Sequence, residues 1–243
     1  MSSKIFSFTL VRHGQTTHNK LKIIQGQMET HLTDLGRDQA KLLNNYYENR
    51  GEKFDKVYSS DLIRAYETCV IVCENGSYHI IKNTLLRERS FGVLQGSPLD
   101  LLKSEAFKAG HDESNFTQFR PEGGETMEEV QDRVNKFCYE ELFPNAQDSS
   151  SILVVTHGGV VREFMKLFKK LGCPIENRDL IITPNTAMNK FEIKVGPQNQ
   201  AEQVVAKSLH SIPHLSQQAK SEALSEEQLN DSGTKKKEVE YAI

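Results

Sequence analysis

A three-layer α/β fold, with helices on both faces of a mostly parallel central sheet, is predicted by three features of this chain. Strand-like apolar runs alternate with segments of helical period. Two of those runs, Phe8-Thr9-Leu10-Val11-Arg12-His13-Gly14 and Ile152-Leu153-Val154-Val155-Thr156-His157-Gly158-Gly159, end in histidine followed by glycine. Continuous apolar runs suit parallel strands covered on both faces, and ligands of such sheets gather outside the carboxyl ends of the strands. Third, 243 residues with 37% hydrophobic and 26% charged content suffice for one sizeable domain with a buried core.

In chain order, the pattern gives a strand at about 5–11, a helix near 33–48, a strand near 56–59, a helix near 61–74 and a strand near 79–82. Ser59, Ser60 or Asp61 is a candidate cap for the fourth of these. A Gly- and Pro-punctuated stretch from 87 to 124 follows, with a short helix around 99–109; loops of this length are often functional. Thr126 with Glu129 forms a capping box, and Val130, Val134, Phe137 and Cys138 then share a face, which places a helix at about 127–143. After the second strand-His-Gly unit, Val160, Val161, Phe164, Leu167, Phe168 and Leu171 recur at helical spacing until Gly172 and Pro174. A last strand pair is expected at 188–195 and 204–209. From about residue 216 the composition turns to Ser, Gln, Glu and Lys, as in chains that cannot offset ordering entropy by burial. We therefore expect a domain over 1–215 and a disordered polar tail over 216–243. The tail carries four Lys against six acids, so of the formal −3 the domain holds −1.

That charge argues against a broad electrostatic hold on nucleic acid, so an anionic substrate must be drawn by a local basic cluster. Cys69, Cys73, Cys138 and Cys173 lack paired CxxC spacing; neither a disulfide framework nor a zinc site is suggested, and a reducing, cytoplasmic setting is expected. No apolar stretch reaches the roughly 20 residues of a membrane span, and the start resembles no secretory signal, so neither membrane insertion nor secretion is expected.

The two strand-end histidines carry the chemistry. A neutral His13 could attack phosphorus and form a phosphoramidate that water later hydrolyses, dividing one hard displacement into two easier ones. Gly14 would let the backbone approach the phosphate, and Arg12 would neutralise its equatorial oxygens. His157, expected as an imidazolium, would stabilise charge on the transferring group. Arg64, in the first turn of a helix, is a second phosphate ligand, or else a solvent-facing residue paired with Glu67 or Asp61. Glu88 is a candidate proton donor to the leaving alkoxide, or else part of a surface pair with Arg87. Asn19 could donate its amide to the same phosphate. His18, His31, His79, His111, His210 and His214 share no metal-site spacing and are expected mostly in exposed loops; no metal or other cofactor is called for.

Leu10-Val11-Arg12-His13-Gly14-Gln15-Thr16, Ser59-Ser60-Asp61-Leu62-Ile63-Arg64-Ala65 and Thr156-His157-Gly158 together resemble the motifs of the histidine phosphatase, or phosphoglycerate-mutase-like, superfamily, in the family's order. The resemblance implies a phosphohistidine at His13, a phosphate pocket of Arg12, Arg64 and His157 with Asn19 added, and Glu88 as acid. Ile23-Ile24-Gln25-Gly26-Gln27, Leu86-Arg87-Glu88-Arg89-Ser90-Phe91-Gly92-Val93, Pro121-Glu122-Gly123-Gly124-Glu125-Thr126 and Thr183-Pro184-Asn185-Thr186 look most like the TIGAR group of fructose-2,6-bisphosphatases. That implies removal of the 2-phosphate of fructose 2,6-bisphosphate, which lowers glycolytic flux in favour of the pentose phosphate route, with nucleus or mitochondrion as further locations. The chain departs from the group in its short stretch between Phe143 and Ser151. A phosphoglycerate or bisphosphoglycerate mutase, a broad-specificity phosphatase, and a non-catalytic binding protein on the same scaffold are the alternatives.

Overall fold

A computed structural model describes residues 2–112 and 116–216. The elements are β1 Lys4–Arg12, α1 Thr17–Lys20, α2 Asp34–Asn49, β2 Lys56–Ser59, α3 Ile63–Val72, β3 Ile80–Lys82, α4 Leu99–Lys108, α5 Met127–Lys136, α6 Phe143–Asn145, β4 Ser151–Thr156, α7 Gly158–Lys170, β5 Met188–Val195 and β6 Ala201–Ser211. They build a six-stranded sheet in the order β3-β2-β4-β1-β5-β6. The β3-β2-β4-β1 part is parallel; β5 and β6 extend it antiparallel.

The period-2 alternation of β1 explains the layers. Phe6, Phe8 and Leu10 join one core with α5 and α7, whereas Val11 on the opposite face joins a second core with α2 and α3. Phe164 and Phe168 of α7 lie 5.8 and 5.9 Å from the Phe8 ring. Each such fully buried side chain contributes about 1.5–3 kcal/mol through burial. A third, smaller cluster of Ile24, Leu94, Leu102, Ala106 and Phe119 seats α4 against the loop after α1.

The expected elements are present, with four physical differences. The helix expected over 127–143 continues past α5 as a π-turn, Phe137–Leu142, before α6. Helix α3 has no cap from Ser59, Ser60 or Asp61: the Glu29 carboxylate accepts the Ile63 N–H at 3.0 Å, and Asp61 is held by Arg87. Gly14 serves the fold, since a Cβ there would lie 2.4 Å from the Gly36 carbonyl oxygen where β1 meets α2. And β6 runs farther than expected, to Ser211, by way of a bulge.

Among the described residues, no helix is long and apolar enough to cross a membrane, and all four cysteines are free and buried. Of the expected tail only Ser216 is described; 217–243 lie outside the described residues.

Candidate active site

Sheet register brings the two histidines together. Arg12 of β1 stands opposite Thr156 of β4 in a parallel pairing, so the next residue of each strand emerges at the same carboxyl edge. The His13 N–H donates to the Thr156 carbonyl at 2.9 Å, and the His13 and His157 ring centroids are 5.3 Å apart. Strand β2 ends beside them and places Ser60 against His157.

Nδ1 of His13 lies 2.7 Å from the Gly14 carbonyl. A carbonyl only accepts, so Nδ1 carries the proton and Nε2 keeps its lone pair. Burial, then the Arg64 and Arg12 charges, push this ring well below the ordinary imidazole value. His13 is thus neutral at pH 7, as a nucleophile requires.

Nε2 of His157 lies 2.8 Å from Ser60 Oγ, while its Nδ1 is buried with no hydrogen-bond partner among the described residues. Ser60 Oγ already accepts the Leu62 N–H at 3.4 Å. A Ser60 hydroxyl that donates to Nε2 leaves Nδ1–H as a donor, whereas one that accepts from Nε2–H leaves Nδ1 with a lone pair. Burial and the neighbouring Arg64, His13 and Arg12 also push His157 well below the usual range. In the protein without substrate these surroundings favour the neutral ring, and the guanidinium groups carry the charge of the site; the imidazolium expected from sequence concerns the ring facing a transferring phosphoryl group.

Arg64 is 1% exposed, which removes the solvent-facing alternative. Its Nη1 donates to the Met28 carbonyl at 3.0 Å and its Nη2 to the Gly26 carbonyl at 2.7 Å. Nε is buried without a protein acceptor among the described residues, and desolvation brings the group down to about 10. A buried N–H without an acceptor is uncommon and needs an explanation. Here two buried nitrogens without a partner, Nε of Arg64 and Nδ1 of His157, belong to side chains that neighbour His13.

Arg12 is clamped from the far side by a turn over 183–186. Its Nη1 donates to the Thr183 carbonyl at 2.7 Å, the Thr186 N–H donates to the Arg12 carbonyl at 3.1 Å, and Asn185 Nδ2 donates to the His13 carbonyl at 2.8 Å. Thr186 adopts a φ of +57°, an outlier for a β-branched residue and a form of strain that concentrates at functional sites.

Glu88 sits over the first turn of α7. Its Oε2 accepts the Gly159 N–H at 3.0 Å and its Oε1 the Arg89 N–H at 2.9 Å. Gly159 permits this approach, because a Cβ there would come within 2.4 Å of Oε1. Two backbone bonds leave the carboxyl with open lone-pair positions. The alternative Arg87 pair is absent: Arg87 makes a two-point ion pair with Asp61 at 2.8 and 2.5 Å.

Arg12, His13, Asn19, Arg64 and Glu88 line one cavity of about 620 Å³. Asn19 spends its Oδ1 accepting from Thr16 N–H and Thr16 Oγ, which closes the capping box of α1. Its Nδ2 stays available to the cavity. Ile23, Ile24, Phe91, Leu99, Leu102 and Phe116 form an apolar wall, and Arg162, Lys22 and Lys103 add cations. Among the described residues no three His, Cys, Asp or Glu groups are placed to hold a metal ion.

Two supports were not read from the sequence. Ser60 emerges from a strand-end serine pair that reads equally as a helix cap, and only the β2-β4 pairing reveals its partner. The 183–186 turn enters the sequence reading through family resemblance alone, since nothing in its composition links it to a strand 170 residues earlier. His210 is likewise corrected. Instead of lying in an exposed loop, it is half-buried in β6 with both ring nitrogens engaged.

Neutral His13 and His157 have a measurable consequence. An NMR titration of the free protein should give both rings midpoints below the ordinary 6.5, and a midpoint at or above it would contradict the geometry. In the unfolded chain the same rings bind protons near 6.5, so the unfolded state binds more of them below that pH. The unfolding free energy should therefore fall as pH drops from about 6.5 towards the lower folded-state values.

A strand-end pair of imidazoles, two guanidinium groups and a carboxyl stand together at one edge of the mixed sheet. The histidine phosphatase superfamily model, branch 1, matches residues 8–204, and the chain belongs to that superfamily. It is 31% identical to a fructose-2,6-bisphosphatase TIGAR of Xenopus tropicalis over 87% of this chain and 95% of the relative. It is 33% identical to a broad-specificity phosphatase of Saccharomyces cerevisiae over 69% of this chain and 72% of the relative. The fold matches a phosphoglycerate mutase of Bacillus anthracis with a TM-score of 0.69 at 20% identity, covering 88% of this chain and 96% of that one.

Proposed function

We propose that this protein is a phosphomonoesterase that removes the 2-phosphate of fructose 2,6-bisphosphate through a phosphohistidine on His13. The observation that carries the reading is the His13 ring, with its Nε2 lone pair free, 5.3 Å from the His157 ring and beside the unpartnered buried atoms Nδ1 of His157 and Nε–H of Arg64. In the first step Nε2 bonds to phosphorus while the ester P–O bond breaks, and the leaving oxygen takes the electron pair and a proton from Glu88. In the second, water attacks phosphorus and gives its proton to the Glu88 carboxylate, and the P–N bond breaks with its electron pair returning to Nε2. Arg12, Arg64, His157 and the Asn19 amide hold the equatorial oxygens.

The sugar-bisphosphate assignment is supported by the identity to the TIGAR relative and by the cations Arg162, Lys22 and Lys103, which suit a second phosphate in the same cavity. By lowering a glycolytic activator, the reaction would favour the pentose phosphate route. The activity belongs to residues 1–215, so deletion of 216–243 should leave turnover unchanged. Four free, buried cysteines agree with a reducing, cytoplasmic setting.

One observation favours a second reading, a broad-specificity phosphatase. The apolar wall of Phe91, Leu99, Leu102 and Phe116 offers a hexose no partners for its hydroxyls, and polar groups left unpaired weaken discrimination in favour of a sugar. Phosphate release from fructose 2,6-bisphosphate, 2,3-bisphosphoglycerate and aryl phosphates decides between them. A kcat/KM for fructose 2,6-bisphosphate at least about tenfold above the others supports the first reading. Even rates support the second, and phosphoryl return to a bound product in place of water would establish a mutase.

A further inference from the structure

The antiparallel pairing of β5 with β6 slips by one residue beside the active site. Met188 stands opposite Ser211 and Lys190 opposite Ser208, so Leu209 and His210 together face the single Asn189. His210 takes a φ of +50°, a conformation few residues other than glycine adopt. Bulges re-aim side chains, and they gather next to active sites. This one turns the His210 ring towards the loop that clamps Arg12.

Both ring nitrogens are used there. Nε2 lies 2.9 Å from the Asp179 carbonyl, so it carries the proton and donates; Nδ1 accepts the Thr183 hydroxyl at 2.9 Å. The backbone carbonyl of that same Thr183 receives Arg12 Nη1. Asn189 completes the frame, accepting the His210 N–H at 2.8 Å and donating to the Leu10 carbonyl of β1 at 3.3 Å. Four residues on, His214 repeats the arrangement at the other end of the turn. Thr186 Oγ donates to the Asn185 carbonyl at 2.7 Å and accepts from His214 Nε2 at 2.9 Å. Burial holds His210 below the usual imidazole range, which agrees with a neutral ring that accepts at Nδ1.

We infer that the bulged carboxyl-terminal end of β6 is the outer support of the phosphate centre, and that His210 is a positioning residue that sets the Arg12 guanidinium through Thr183. His210 touches no substrate. It fixes the direction of the Thr183 carbonyl, which fixes the guanidinium plane, and small misplacements of a charge-stabilising group are expensive in rate. The inference rests on the phosphohistidine reading, in which Arg12 acts on the transferring group.

Three substitutions at His210 separate positioning from general stability. His210→Phe keeps the ring and loses both bonds; His210→Asn keeps an acceptor near the Nδ1 place; His210→Gln keeps a donor near the Nε2 place. With p-nitrophenyl phosphate, His210→Phe should lower kcat about tenfold with KM changed less than about twofold, and should weaken inhibition by orthovanadate about tenfold. His210→Asn should recover most of the loss and His210→Gln little. Thr183→Val should match His210→Phe, and the double variant should be no worse than either single one. A His210→Phe turnover within twofold of the parent, or losses that multiply in the double variant, would overturn the inference. If His210→Phe does not fold, as its melting curve would show, equal rates for the Asn and Gln variants would overturn it. His13→Ala run alongside tests the underlying reading: if that variant is inactive while His210→Phe is unaffected, only the positioning role fails.

Discussion

His13→Ala should abolish turnover, with a loss of at least about 10⁴-fold in kcat for every ester tested. The size follows from position, because Nε2 is the atom that bonds to phosphorus and no neighbouring group can replace it. His157 is held by Ser60 at its own Nε2, 2.8 Å away, and Glu88 is tied to two backbone amides at 3.0 and 2.9 Å. Folding is expected to survive, since the backbone of residue 13 keeps its bonds to Thr156 and Asn185. Ligand binding offers a control. Inorganic phosphate should still bind the alanine variant through Arg12, Arg64 and His157, which distinguishes a missing nucleophile from a collapsed site. Residual turnover above about 1% of the parent would remove His13 from the role.

Glu88→Gln should slow esters in proportion to the basicity of their leaving group. A sugar alkoxide needs its proton as the P–O bond breaks, so a loss of about 10²–10⁴-fold is expected for a sugar phosphate. A nitrophenolate leaves readily without one, and p-nitrophenyl phosphate should lose less than about tenfold in the first step. The substitution has a structural cost as well. The carboxylate accepts two N–H groups, from Gly159 and Arg89, while an amide offers one oxygen and turns its NH2 towards the other donor. Burst kinetics separate the two effects, since the first step reports acid catalysis and the second the activation of water. Equal losses for both substrates would exclude Glu88 as the acid and leave it as the group that orients α7.

The parts of this site legible from sequence are those delivered by strand ends. A run of apolar residues that stops at Arg12-His13 or Thr156-His157 announces its own depth and direction, and two such runs in a parallel sheet place their ends at one edge. Arg64 was legible as a residue but not in its surroundings, because its partners, the Met28 and Gly26 carbonyls, come from a loop that follows Ile24, which packs against Leu102 and Ala106 of α4. The surroundings of His157 needed coordinates: a helix-start histidine reads as a cation until its burial and the arginines beside it are seen to disfavour the charge. A second demand on Gly14 is not legible from sequence, since the Gly36 backbone of α2 that it accommodates is distant along the chain. The bulge at His210 was invisible, because one extra residue in an edge strand leaves no mark on a period-2 pattern of half-exposed residues.

The most direct measurement is the site of phosphorylation in enzyme quenched during turnover. The account requires one equivalent of acid-labile, base-stable phosphate, mapped by alkaline digestion and mass spectrometry to the peptide containing His13 and bound at Nε2. Phosphate found on His157 or on an acidic residue, or a labelled intermediate that persists in His13→Ala, would contradict it.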